Sequence, residues 1–320
     1  MDLIHQAVPE LDLEQIDLSQ EFLGKRLQIP LLINAITGGT ERGREINRAL
    51  SELACQFGVA MAVGSQSIAL SEPERRDSFE VVREVNPHGV IIANISALAK
   101  PDETLRVVEM IKADALQLHL NVPQELAMRE GERHFAGMLD NIRQIVAAAS
   151  VPVIAKEVGF GLSRESAAKL FAAGVKIFDT GGQGGTNFVM IEDRRQGCFN
   201  AELDQWGIST AVSLAEILSL GLPVQVIACG GLRTAMDAAK AIAMGAELVG
   251  MAAPFIKLYS GAGEGALADY LQQWVYRLKA VFLMTASVNI RSLQQKPVLI
   301  KGQTRAWLEA RHIDWRCWSR

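Results

Sequence analysis

VPVIAKEVGFGLSRESAAKLFAAGVKIFDT, residues 151–180, holds the pattern that decides the fold. A short, continuously apolar run (VPVIAK, 151–156) ends in a charged pair, Lys156-Glu157, and a glycine loop follows. Ser163, with Ser166 and Ala167 behind it, then opens a helix, and Gly174 closes it directly before a second run (VKIFDT, 175–180). Runs this short cannot be helices, and continuous apolarity marks strands of a parallel sheet covered on both faces. Working outward, the same unit recurs. LLINAI (31–36), VAMAV (59–63), VIIAN (90–94) and ALQLHL (115–120) precede it, and VQVIAC (224–229) and ELVGMA (247–252) follow it. Helix starts lie between the runs at Pro101-Asp102-Glu103 and at Thr234 with Asp237, which has the spacing of a capping box. Gly58 and Gly245 stop other helices where a left-handed cap is wanted. Eight βα units predict an α/β fold closed into a (β/α)8 TIM barrel, with an open doubly wound sheet as the alternative.

The rest of the chain fits one such unit. Its 320 residues suit a single barrel domain over 1–320, with residues 1–30 as a lead-in and 262–320 as a C-terminal helical appendage. The apolar fraction of 49% with only 6% aromatics excludes a disordered chain and implies a Val/Ile/Leu/Ala core. A formal charge of -4 makes nucleic acid an unexpected partner. Cys55, Cys198, Cys229 and Cys317 lack CxxC spacing and read as thiols of a reducing compartment. The opening MDLIHQAVPELDLEQIDL has no signal-peptide pattern and no stretch approaches a membrane span, so a cytoplasmic location is expected. On the long C-terminal helix (ALADYLQQWVYRLKAVFLM), Leu271, Trp274 and Val275 either meet a neighbouring copy or cover the barrel.

Polar residues follow the apolar runs at one strand end after another: Ile36-Thr37-Gly38-Gly39, Gly64-Ser65-Gln66, Asn94, His119-Leu120-Asn121, Lys156-Glu157 and Asp179-Thr180-Gly181-Gly182. Barrels keep their chemistry on that face. Gly230-Gly231, opening toward a helix near Thr234, is a candidate phosphate seat, assisted by Gly184-Gly185-Thr186 and Met251-Ala252-Ala253; plain turn chemistry is the alternative. Lys156 is a candidate cation for the N1/O2 edge of a reduced flavin, or a partner of Glu157. Glu125 is either a Mg²⁺ ligand or the first turn of a helix opened by Pro123. His5, His88, His134 and His312 have no comparable neighbours and read as surface or structural residues. The long connections 121–135 and 181–208 are candidates for a lid.

INAITGG (33–39), VGSQ (63–66), ANIS (93–96), QLHLNVPQE (117–125), KEVGFG (156–161), TGGQGGTNF (180–188), WGIST (206–210) and CGGLRTAMDAAKAIAMGA (229–246) together resemble the type 2 isopentenyl-diphosphate isomerases. The resemblance covers nearly the whole chain in order. It implies an FMN-binding barrel that needs Mg²⁺ and takes electrons from NADPH, while interconverting isopentenyl and dimethylallyl diphosphate in isoprenoid biosynthesis. Flavin contacts are implied for Ile36, Thr37, Gly38, Ser65, Asn94, Lys156, Thr186, Gly230, Gly231, Ala252 and Ala253. Gln66, His119, Asn121 and Gln124 are implied in substrate binding, with Gln124 beside the alkene as the catalytic candidate and Glu125 on the metal. The reduced flavin would then act as acid and base at an unactivated alkene. The family's assemblies imply a homo-oligomer, a tetramer or octamer.

One departure stands out. Members of that family carry an Arg-Lys-x-x-His element before the first strand, and none occurs here: Leu3-Ile4-His5 and LDLEQIDLS (11–19) align with the segment shortly before strand one. The expectation is that an opening portion of the diphosphate site is missing, and His5 is not assigned its role. Two other readings are carried. A hydroxy-acid oxidase type of FMN enzyme would need a His-Gly-x-Arg near strand seven, which is absent. A non-catalytic flavin- or phosphate-binding barrel is the other.

Overall fold

A computed structural model describes residues 1–197 and 201–319. Eight parallel strands, β1 (Leu31–Ile33), β2 (Ala60–Ala62), β3 (Ile91–Ser96), β4 (Ala115–Leu120), β5 (Val153–Glu157), β6 (Ile177–Asp179), β7 (Gln225–Cys229) and β8 (Leu248–Met251), pair in chain order. β8 returns to β1 through Val249 opposite Leu31, and the barrel closes. The expected closure holds and the open sheet is excluded. Most strands are shorter than their apolar runs, because residues such as Ile36 and Ala252 have left the ladder and belong to the loops at the mouth.

Alternation along each strand splits the core in two. Leu32, Ala60, Ala62, Ile92, Ala115, Ile154, Ile177, Ile227 and Leu248 form one buried cluster inside the barrel. Leu31, Ile33, Met61, Ile91, Leu116, Ala155, Phe178 and Val249 belong to a second, shared with the surrounding helices. The period of two explains both sets from one sequence pattern. An antiparallel hairpin, Gln20–Phe22 with Lys25–Leu27, adds Phe22 and Leu27 to the inner cluster. Its anchors, Lys25 on Asp114 (2.6 Å) and Gln28 N–H on the Gly58 carbonyl (2.8 Å), lie at strand starts, so it closes the N-terminal end.

The helices that pack between successive strands include α1 (Glu41–Phe57), α2 (Asp77–Val85), α3 (Pro101–Met110), α4 (Met138–Ala148), α5 (Arg164–Ala172), α6 (Thr210–Leu218) and α7 (Ala235–Ala243), with α8 (Ala253–Ala262) after β8. Their starts follow the sequence signals. Ser163 accepts from the Ser166 N–H, Pro101 occupies the first turn of α3, and Thr234 and Asp237 exchange the two bonds of a capping box. Gly58, Gly174 and Gly245 all have positive φ, the conformation that residue type allows without strain. The expected long helix is α9 (Gly265–Met284), and it covers this chain's own core: Leu271 and Trp274 are buried and Val275 packs beside them.

Beyond α9, α10 (Gly302–Ala310) is tied to the barrel by one carboxylate. Glu216 of α6 is fully buried and accepts from Trp307 Nε1 (3.0 Å), from Arg311 Nε (2.8 Å) and from the Arg164 N–H (2.9 Å). Burial alone would raise its pKa, but Arg311 and Trp307 outweigh that and hold it below the usual carboxylate range. Its contribution is therefore present at neutral pH and fades as the pH falls through the acid range. Glu216→Ala leaves these donors without their acceptor and is expected to lower the unfolding free energy by about 2–4 kcal/mol in urea melts at pH 7. Removing Glu165, which meets Arg311 at the surface, should leave the midpoint nearly unchanged.

Candidate active site

Continuing the inward parity of the strands by one step replaces the apolar interior with a polar layer. Asn34 follows Leu32, Asn94 follows Ile92, Gln117 and His119 follow Ala115, Lys156 follows Ile154, Asp179 follows Ile177, and Cys229 follows Ile227. Burying such groups is tolerated only if each finds a partner. Asp179, fully buried, accepts from Asn34 Nδ2 (2.6 Å), Gln117 Nε2 (3.1 Å) and the Gly181 N–H (3.1 Å), and stands 3.8 Å from Lys156 Nζ. Gln117 also donates to Asn34 Oδ1 (3.2 Å), and Asn34 Nδ2 reaches Cys229 Sγ (3.1 Å). Gly250 makes room for this crossing, since a Cβ there would lie 2.8 Å from Asn34 Nδ2.

Lys156 is 8% exposed. Burial would depress its pKa, but Asp179 foremost, with Cys229 and Glu157, keeps the ammonium charged and its pKa raised. The Glu157 carboxylate is turned away toward the Phe160 and Gly161 N–H groups, so Lys156 meets only the Glu157 carbonyl (3.1 Å). Burial pushes Glu157 up to about 7 despite those two donors. Burial, with Lys156 nearby, lowers His119 to about 4, so its ring is neutral at physiological pH. Burial and then Asp179 push the Cys229 thiol up to about 11.

Above this layer, the loops after β6 and β7 meet backbone on backbone. A Cβ on Gly230 would lie 2.1 Å from the Gly182 carbonyl oxygen, and one on Gly231 2.5 Å from that of Gly184. Thr210 Oγ1, within reach of the Cys229 (2.9 Å) and Gly230 (2.5 Å) carbonyls, fastens the junction from α6. At the start of α7 the capping box uses part of the donor set that the sequence reading assigned to the Gly230-Gly231 seat. Asp237 already takes the Arg233 and Thr234 N–H groups (3.2 and 3.0 Å). The open donors sit earlier, in the glycine turn, where among the described residues the N–H groups of Gly185, Gly231 and Leu232 have no backbone or side-chain acceptor. A glycine-backbone cradle with unspent N–H groups, flanked by the Arg233 guanidinium on the Gly184 carbonyl (3.3 Å), fits a phosphate group, such as that of FMN.

The other expected residues gather at the same barrel end. Ile36, Thr37 and Gly38 follow β1, with Phe79 pressed against Gly38, where a Cβ would come within 2.0 Å of the ring. Ser65 follows β2 and faces Ser67, Thr186 is exposed in the β6 loop, and Ala252 and Ala253 follow β8. Gln124 and Glu125 lie on a short helix, Val122–Ala127, directly after β4. Glu125 accepts from Asn121 Nδ2 (2.8 Å) and the Glu132 N–H (2.9 Å). Gln66 requires correction as a substrate contact. It is fully buried, donates to the Val107 carbonyl (3.0 Å) and accepts from the Asn94 N–H (3.0 Å), which makes it a strut between β2, β3 and α3. His5, His88, His134 and His312 are exposed, as expected. Cys198 and part of the 181–208 connection lie outside the described residues.

Sequence reading placed Asp179 among the polar strand ends without a specific role and gave no site role to Asn34, Gln117 or Cys229. The available signal was parity: each is a polar or thiol side chain on the inward-facing phase of a strand.

The fold and this mouth define the class: residues 73–300 match the FMN-dependent dehydrogenase family. Mandelate oxidase with 3,3-difluoro-2-hydroxy-3-phenylpropionic acid superposes with a TM-score of 0.70 over 94% of this chain and 87% of that one, at 16% identity, which shows the shared fold. An isopentenyl-diphosphate delta-isomerase of Moorella thermoacetica is 53% identical over 97% of this chain and 89% of its own length. One of Symbiobacterium thermophilum is 45% identical over 98% and 87%. The chain belongs to the type 2 isopentenyl-diphosphate delta-isomerase family.

The glycine contact is testable. Gly231→Ala places a methyl against the Gly184 backbone at a φ of +73°, adding ~1–2 kcal/mol of strain before any clash. The apoprotein should keep its circular dichroism, while flavin retained after desalting, read at 450 nm, falls by about tenfold or more.

Proposed function

We propose that this chain interconverts isopentenyl diphosphate and dimethylallyl diphosphate, with FMN and Mg²⁺ bound and NADPH as the reductant of the flavin. The observation that carries the reading is the continuity of one segment, in which β4 takes His119 into the polar layer and the next helix carries Gln124 and Glu125 at the same strand end. Reduced FMN, when bound, would supply an electron-rich ring able to serve as acid and base and to stabilise positive charge by stacking.

The chain's residues do the rest. The glycine turn, with Thr186, Ala252 and Ala253, holds the flavin phosphate; Ile36, Thr37, Gly38 and Ser65 contact the cofactor, while Asn94, its side chain engaged by Gln117 and His119, supports the site from beneath; and Lys156 fixes positive charge at the N1/O2 edge. His119 and Asn121 grip the diphosphate and Gln124 lies beside the alkene. Glu125 holds Mg²⁺, and the donor set fits, because magnesium takes one or two carboxylates and completes its shell with water and substrate oxygens. Among the described residues no cluster of three or more His, Cys, Asp or Glu offers a full protein cage.

A carbocation-like transition state requires that water be excluded. The two long connections cooperate in this: Arg195 pairs with Glu130, and Gln196 Nε2 donates to the Ala127 carbonyl (2.6 Å). Together they form the lid. The reaction belongs in the cytoplasm, since neither a diphosphate nor NADPH crosses a bilayer unaided. A tetramer or octamer of barrels completes the proposal, with exposed Tyr276 and Met284 on α9 as contact candidates.

Purified protein loaded with FMN, reduced by NADPH and given Mg²⁺, should convert isopentenyl diphosphate in D₂O with deuterium entering the product. Reduced flavin and metal without conversion, both in the chain as given and after an Arg-Lys-x-x-His segment is added ahead of it, would sink the reading. Chelation should abolish turnover, and Glu125→Gln should raise the Mg²⁺ needed for half-maximal rate by about tenfold or more without loss of flavin.

A further inference from the structure

The polar layer has a direction, and Asp179 sets it. An ionised carboxylate only accepts hydrogen bonds, so Gln117 must turn its amide NH₂ toward Asp179 (3.1 Å). The Gln117 carbonyl oxygen then faces Asn94 and accepts from Nδ2 (2.8 Å). That leaves Asn94 Oδ1, another pure acceptor, 2.9 Å from His119 Nδ1. Nδ1 must therefore carry a hydrogen. His119 Nε2 takes no partner among the described residues and is not among their sealed polar atoms, so it opens to the mouth.

We propose that Asp179 is a positioning residue whose charge, relayed through Gln117 and Asn94, fixes the His119 hydrogen on Nδ1 and presents Nε2 to the ligand as an acceptor. The consequence deepens the diphosphate grip and rests on that reading of His119. An ionised phosphate oxygen only accepts, so neutral His119 cannot hold it at Nε2. The ring must take up a proton when a diphosphate arrives: the Nδ1 bond stays, and a second N–H forms toward the phosphate. The charged groups set around the ring are Lys156 on β5, which opposes the uptake, and Asp179 on β6, which balances Lys156; β3 offers only the neutral Asn94. The polyanion supplies the field that favours it.

Neutron diffraction from deuterium-exchanged crystals of the FMN-loaded protein above pH 7 reads the relay directly. Deuterium on Nδ1 alone is expected in the native chain. In Asp179→Asn the amide at 179 can itself donate, Gln117 is free to reverse, and deuterium should move wholly or partly to Nε2. Adding Asn94→Asp places an acceptor-only group beside Nδ1 and should return it there, which a merely structural role for Asp179 would not do. Deuterium on Nε2 in the native chain, or an unchanged tautomer in Asp179→Asn, overturns the proposal; should that variant fail to fold, the native map still decides. Calorimetry with inorganic pyrophosphate and Mg²⁺ in buffers of different ionisation enthalpy tests the grip separately. About one proton should be taken up per pyrophosphate bound, and close to none by His119→Asn. Pyrophosphate bound without proton uptake, beside the expected tautomer, removes His119 from the diphosphate site and leaves the Asp179 relay standing.

Discussion

A charge buried in the barrel governs the architecture of the mouth. Asp179 has no exposure to water, and an isolated carboxylate there would cost several kcal/mol. Everything next to it answers that cost: one cation in Lys156, two amides in Asn34 and Gln117, and the Gly181 N–H. Those partners come from β4, β5, the residue after β1 and the loop after β6, so the carboxylate fixes side chains that the backbone ladder alone would leave free. Gly250 then has to be glycine-sized, because Asn34 crosses the space its side chain would fill. A hydrogen-bonded layer of this kind is rigid, and a rigid floor is what a cofactor edge and a ligand need beneath them.

The barrel thus has two ends with different physics. Toward the strand starts the interior is aliphatic and is closed by Phe22 and Leu27, whose burial stabilises the fold without asking anything of chemistry. One residue step toward the strand ends, the same inward parity turns polar. The transition is sharp because strand side chains alternate, so Leu32 and Asn34, or Ile177 and Asp179, stack directly above one another. Mandelate oxidase shares the fold at 16% identity, and at that distance the shared part is the scaffold.

Much of this was legible in the sequence because local rules coincide with the global answer. Eight apolar runs, glycine stops such as Gly58 and starts such as Ser163 and Thr234 each report a local backbone requirement, and each survived in place. The collection of Lys156, His119, Gly230 and Gly231 at one mouth followed from strand ends in a closed barrel. Orientation was not legible. Gln66 sits at a strand end like its neighbours, yet it turns inward, where the Val107 carbonyl of α3 and the Asn94 N–H of β3 satisfy both ends of its amide. Glu216 reads as an ordinary helix-surface glutamate until a segment some ninety residues later brings Trp307 and Arg311 to it.

The Gln66 case and the Asp179 relay are two outcomes of one rule, that donors and acceptors in a dry interior must match in sense as well as number. Gln66 has donors and acceptors matched on protein groups, and so nothing remains for a ligand. The relay from Asp179 matches every group until His119, whose Nε2 is left over at the water-facing side. A leftover atom at the end of an otherwise satisfied network is where a folded chain has capacity to bind. The sense of that last atom is dictated by a carboxylate three residues away along the network, and no inspection of His119 alone would reveal it.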